Sequence, residues 1–146
     1  MEDIFLTIDN SVLDEYNKYY FSIHTKAKNV PIKQPYHPSI NEWMIMKRPM
    51  MNCLKGKWKD FISWFVCSKG YSNLHIQECE LEFITYYGNN RTHDVDNTTP
   101  KFIIDGLVVG GMLESDDMNH VKKLILSCGE NDGFPRTEII VSKIKK

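Results

Sequence analysis

The chain has 146 residues, 42% of them hydrophobic and 25% charged, with a net charge of −1. These values suit one globular domain large enough for a real core, and they do not announce a strongly basic nucleic-acid binder. No apolar run approaches membrane-spanning length, and Met1-Glu2-Asp3 is acidic where a signal peptide would be basic, so a cytoplasmic protein with no membrane partner is expected.

Residues 1–20 are polar and aromatic and suit an appended strand or a short helix; residues 1–30 are read as an N-terminal extension packed on a domain formed by 31–146. Partial alternation over Phe21 to Val30 predicts a strand. Three prolines, Pro31, Pro35 and Pro38, make Val30 to Asn41 an extended loop. Asn52 to Cys67 is expected to be a helix, because Trp58, Phe61, Ile62 and Phe65 fall at i, i+3, i+4 and i+7, and Gly70 stops it. Leu74 to Tyr87 alternates as one long strand or a strand pair, and Tyr87-Gly88-Asn89-Asn90 turns the chain. Pro100 should open a helix reaching about Val109, capped by Asn97 or Thr98 and ended by Gly110-Gly111. Val121 to Ser127 and Thr137 to Ile144 are expected strands, joined by a turn at Gly129 to Gly133. The fold class is therefore α+β, a single domain with a mixed β-sheet and flanking helices.

The four cysteines, Cys53, Cys67, Cys79 and Cys128, form no CxxC, and buried free thiols are the better reading. His24, His37, His75 and His120 have no spacing that suggests a metal site or triad, so surface or core roles are expected. Charge is unevenly spread. Residues 1–20 carry five acids against one base, leaving 17 basic and 14 acidic residues in the remainder. Lys47, Arg48, Lys55, Lys57 and Lys59 could build a basic face, with the acidic first 20 residues lying away from it.

The densest chemistry lies between residues 94 and 117: Asp94-Val95-Asp96-Asn97, then Lys101, Asp105 and Asp116-Asp117. If Asp94 and Asp96 sit two apart on extended backbone, both carboxylates point to one side. Two ionised carboxylates about 5 Å apart repel by roughly 3 kcal/mol at an effective dielectric near 20. A cation or a shared proton would relieve that, and hard oxygen ligands beside a lysine are what a magnesium-dependent phosphodiesterase needs. Lys101 and Asp105 stand i, i+4 on the expected helix, so they share a face; an ordinary surface ion pair would use the same spacing. An EF-hand calcium loop does not fit, because its sixth position would be Thr99 and its twelfth Asp105.

These elements resemble the RusA family of Holliday-junction resolvases, endonucleases common in phages and prophages. The family's central signature reads here as Asp94-Val95-Asp96-Asn97, Lys101, Asp105-Gly106-Leu107 and Asp116-Asp117, and its N-terminal signature as Pro38-Ser39-Ile40-Asn41 followed by the helix near Lys55 to Cys67. The resemblance covers roughly residues 35–144. It implies metal ligation by Asp94, Asp96 and Asp117 and a catalytic role for Lys101, with Mg²⁺ as the cofactor and Mn²⁺ as a substitute. It also implies supporting roles for Asn97, Asp105 and Asp116, and DNA contacts by Asn41, Lys47, Arg48, Lys55, Lys57, Lys59 and His93. His93 stands where the family usually has arginine, and the links before Lys101 and before Asp117 are each one residue longer than usual. The implied function is resolution of four-way DNA junctions by paired nicks. A homodimer would follow, since two opposed cuts need a dyad, and the protein would work in a host cytoplasm if phage-encoded. Two alternatives are a DNA-binding or packaging factor that has lost cleavage, and a less selective branched-DNA or flap nuclease.

Overall fold

A computed structural model describes residues 3–144, so Met1, Glu2, Lys145 and Lys146 lie outside the described residues. The order is β1 (Ile4–Asp9), α1 (Asn10–Ile23), α2 (Ile40–Trp43), α3 (Arg48–Ser68), β2 (Cys79–Tyr86), α4 (Lys101–Val109), β3 (Val121–Cys128) and β4 (Arg136–Lys143), with a 3-10 turn at Val95–Thr98. The four strands form one mixed sheet in the order β1-β4-β2-β3; β2 and β3 run parallel and the other pairs antiparallel. The fold is α+β, a mixed sheet with flanking helices.

Strand alternation decides which face is the core. Leu6 and Ile8 of β1, Leu81 and Phe83 of β2, and Ile139 and Val141 of β4 are buried; Leu6, Ile139 and Phe83 lie in register across the three strands, Val141 is opposite Leu81, and Ile8 is opposite the buried Thr137. Their neighbours Glu82, Ile84 and Ile140, pointing the other way, are only partly covered. The core face meets α3, whose Trp58, Phe61, Ile62 and Phe65 are all buried as their spacing predicts. α4 packs on α3 through Gly106, where a Cβ would run into the Ile62 side chain.

Several expectations are corrected. Phe21 to Val30 is not a strand: Phe21 to Ile23 form the last turn of α1, and the chain then loops to residue 39. Asp9 caps this helix by accepting from Val12 N–H at 3.0 Å, and Leu13 and Tyr16 turn inward one helical turn apart. Helical periodicity upstream thus overrides the short local alternation. Residues 4–23 supply an edge strand and four core side chains, Leu6, Ile8, Leu13 and Tyr16. α3 begins at Arg48 rather than Asn52 because Pro49, with its fixed φ and missing N–H, starts the helix without a side-chain cap.

β3 and β4 do not pair with each other. β2 lies between them, so the segment from Gly129 to Pro135 crosses the end of β2. The Gly129 N–H donates to the Thr85 carbonyl at 2.9 Å, which pins that crossing. β4 is instead hydrogen-bonded on both edges, to β1 and to β2.

Candidate functional site

The crossover from β2 to β3 carries every acid of the central motif. Leaving β2, Tyr87 stacks on His93, ring centroids 3.6 Å apart and planes within 12°. Asp94 then opens the 3-10 turn as its cap residue, in extended backbone, and Asp96 falls in the first turn. The expectation that Asp94 and Asp96 project from a strand end is corrected: β2 has ended at Tyr86, and Asp94 is extended while Asp96 lies inside the 3-10 turn, so the two do not follow the alternation of one strand. The repulsion estimated for two carboxylates on one strand face does not apply to this backbone. Both side chains are exposed and neither takes part in an ion pair among the described residues.

Asn97 and Thr98 do not cap α4. The Asn97 N–H closes on the Asp94 carbonyl, the Thr98 hydroxyl donates to the Val95 carbonyl at 2.6 Å, and the Thr99 hydroxyl donates to the Asp96 carbonyl at 2.7 Å. Their hydrogen bonds shape the turn itself. The helix end is served from afar: the Phe102 N–H donates to Nε2 of His37 at 2.9 Å. His37 Nδ1–H in turn donates to the Pro38 carbonyl at 2.8 Å, which fixes the neutral tautomer. Burial lowers the His37 pKa to about 4, against a smaller opposing pull from the Pro38 hydrogen bond and Asp105. The His37 ring also lies 4.9 Å from Phe102 and 5.8 Å from Trp58. The proline-rich loop is thereby latched to the first turn of α4.

That first turn presents Lys101. Its Nζ is 3.4 Å from Asp105 Oδ1 and 4.0 Å from Asp116 Oδ2. Asp105 Oδ2 lies 3.8 Å from Nζ of Lys55, reaching across from α3. The Asp105 side chain is only 15% exposed, and its buried Oδ2 makes no hydrogen bond. One carboxylate is therefore bracketed by two ammonium groups, each still partly in water. Such a pair of cations can accept an anion of higher charge than Asp105 alone.

The paired acids divide their work. Asp116 faces Lys101. Asp117 accepts at Oδ1 from the Asn119 N–H at 2.9 Å and from His120 Nδ1 at 2.7 Å, and at Oδ2 from the Ser115 hydroxyl at 3.2 Å. The His120 hydrogen bond is the main reason its pKa is lowered. Asp117 thus shapes the turn that leads into β3.

The basic residues do not form a single face. Lys47 and Arg48 are exposed at the start of α3. At about 100° per residue, Lys57 and Lys59 stand about 160° apart around α3, on opposite flanks of its buried stripe, with Lys55 on the Lys59 side. Asn41 is exposed on α2, which packs against the 3-10 turn. His93 is half-buried, and its Nε2 is buried without a hydrogen bond, a poor posture for meeting a phosphate.

The structure therefore brings together Lys101, Asp105, Asp116 and Lys55, and leaves Asp117 engaged elsewhere. His37 and His120 were not foreseen as shaping this region. The Asp117-x-x-His120 spacing was a readable signal for the second, but nothing in the sequence pairs His37 with Phe102. The donor chemistry fits a hard divalent cation, because the acids offer only oxygen. Among the described residues, no three carboxylate, histidine or cysteine side chains are gathered closely enough to form a metal-holding group as they stand. No protein-family model matches this chain, and no curated protein matches it.

Proposed function

We propose that the chain is a Mg²⁺-dependent, structure-selective DNA endonuclease that resolves four-way junctions, acting as a cytoplasmic C2 homodimer with one site per subunit. The observation that carries this reading is the convergence of Lys55 and Lys101 on Asp105, with Asp116 facing Lys101. Phosphodiester cleavage needs positive charge where negative charge develops, and two lysines held by helices supply it without reorganisation. Asp94, Asp96 and Asp117 would hold Mg²⁺, as the family resemblance implies, and the ion would polarise the scissile phosphate and acidify an attacking water. Lys101 would stand at the phosphate. Asp105 would hold both lysines in place, and His37 would hold the helix that presents Lys101.

A second reading, a DNA-binding factor without cleavage, is favoured by one observation: the oxygens of Asp117 are occupied by Asn119, His120 and Ser115. A labelled synthetic four-way junction separates the two. Mg²⁺-dependent paired nicks support the nuclease; tight binding with no cut in Mg²⁺ or Mn²⁺ supports the binding factor.

A further inference from the structure

The turn from α2 into α3 holds a cluster of exposed apolar side chains beside the candidate site. Met44, Ile45 and Met50 are 66%, 85% and 60% exposed. Large apolar side chains grouped in water on one tip mark a contact surface more than scattered ones do. Lys47 and Arg48 lie between them, also exposed and outside any ion pair among the described residues, and Glu42 is the one nearby acid on α2.

The tip stands on the elements that build the site. α2 packs against the 3-10 turn that carries Asp94 and Asp96, and its Trp43 ring lies 5.2 Å from Phe102 of α4. α3 sends Lys55 to Asp105. Whatever the tip touches is therefore held next to the acids and lysines.

Charge narrows the occupant. A second copy meeting this tip about a dyad would set Lys47 and Arg48 against their own mates, whereas an anionic partner relieves them. A lipid surface is anionic and apolar, but interfacial binding grows with the apolar area of a long amphipathic helix, and α2 has one turn. DNA at a branch point offers exposed base faces between phosphates. Apolar wedges of Met, Leu, Ile or Pro part base steps in duplex DNA, and a branch point supplies a step already open.

We propose that Met44, Ile45 and Met50 form an apolar wedge that enters the open base step at a DNA branch point, with Lys47 and Arg48 on the flanking phosphates. The proposal rests on the branched-DNA reading for its substrate class, but not on cleavage.

The test titrates full-length protein, in EDTA, into a four-way junction carrying 2-aminopurine at the branch point, beside a linear duplex carrying the same base. Wild-type protein should raise the fluorescence several-fold on the junction only. The double variant M44S/I45S, whose side chains touch little of the core, should bind about tenfold more weakly and lose the rise. An equal rise from the variant overturns the wedge while leaving a nuclease reading intact. A wild-type rise without any Mg²⁺-dependent cleavage keeps the wedge and removes the nuclease. Absence of a rise from wild-type protein overturns the wedge. In that case, loss of sedimentation with phosphatidylglycerol vesicles in the variant would assign the tip to a membrane, and dissociation of a dimer would assign it to a subunit contact.

Discussion

Replacing His37 by Phe tests the latch that orients Lys101. The substitution keeps a ring between Trp58 and Phe102 but removes both nitrogens, so the buried Phe102 N–H loses its acceptor and the Pro38 carbonyl its donor. A buried donor left unsatisfied costs about 1–3 kcal/mol, so H37F should be less stable than wild type by about that amount at pH 7. The pH dependence isolates the cause. Because the folded-state pKa lies near 4 and the ordinary value is 6.5, the unfolded chain binds more protons between those pH values. Wild-type stability therefore falls as pH drops through that window. No penalty applies above pH 6.5, where both states are neutral, and the full penalty of about 3 kcal/mol applies below pH 4. H37F lacks that component, so the gap between the two proteins should close or reverse on acidification. Urea unfolding followed by tryptophan fluorescence from pH 7.5 to 3.5 measures it. Parallel stability curves for wild type and H37F would refute the buried neutral imidazole and the latch with it.

Four further outcomes are expected. Asp94→Asn should abolish cleavage and leave junction binding intact or tighter in a gel-shift assay. Asp117→Asn should abolish cleavage and also lower the thermal unfolding temperature, since its oxygens hold Asn119, His120 and Ser115, whereas Asp116→Asn should leave that temperature unchanged. Lys101→Ala and Lys55→Ala should each slow single-turnover cleavage by about 10²-fold, the scale of one lost electrostatic stabiliser; an unchanged rate in K55A would mean that its ion pair with Asp105 is only structural. Junction affinity should fall with salt at a slope near −5 if a dimer makes three phosphate contacts per subunit, at about −0.9 each. Charge reversal at Lys47 and Arg48 should flatten that slope, whereas Lys57→Glu, on the opposite flank of α3 from Lys55 and Lys59, should not.

The α3 stripe and the alternation in β2 were readable because each is a local period imposed by one buried face. The role of residues 4–23 was not, since β1 is an edge strand whose partner, β4, lies at the other end of the chain. Their burial means that deleting the acidic N-terminal stretch would remove Leu6, Ile8, Leu13 and Tyr16 from the core rather than merely trim charge. Strand order was hidden for the same reason: a glycine-rich link between β3 and β4 looks like a hairpin whether or not a third strand lies between them. Within the candidate site, the Lys101–Asp105 pair followed from helical spacing. Lys55 joining it depended on the close approach of α3 and α4 at Gly106, a tertiary fact. The Asp94–Asp96 geometry was misjudged because a D-x-D pattern does not say whether its backbone is a strand or a 3-10 turn.

The most direct test of the account is incubation of the protein with an end-labelled four-way junction and, separately, with linear duplex, each with and without Mg²⁺. Symmetrically paired nicks in the junction that require Mg²⁺, vanish with Asp94→Asn and spare the duplex are the predicted result. Binding without cleavage in either Mg²⁺ or Mn²⁺, or equal cutting of junction and duplex, would contradict it.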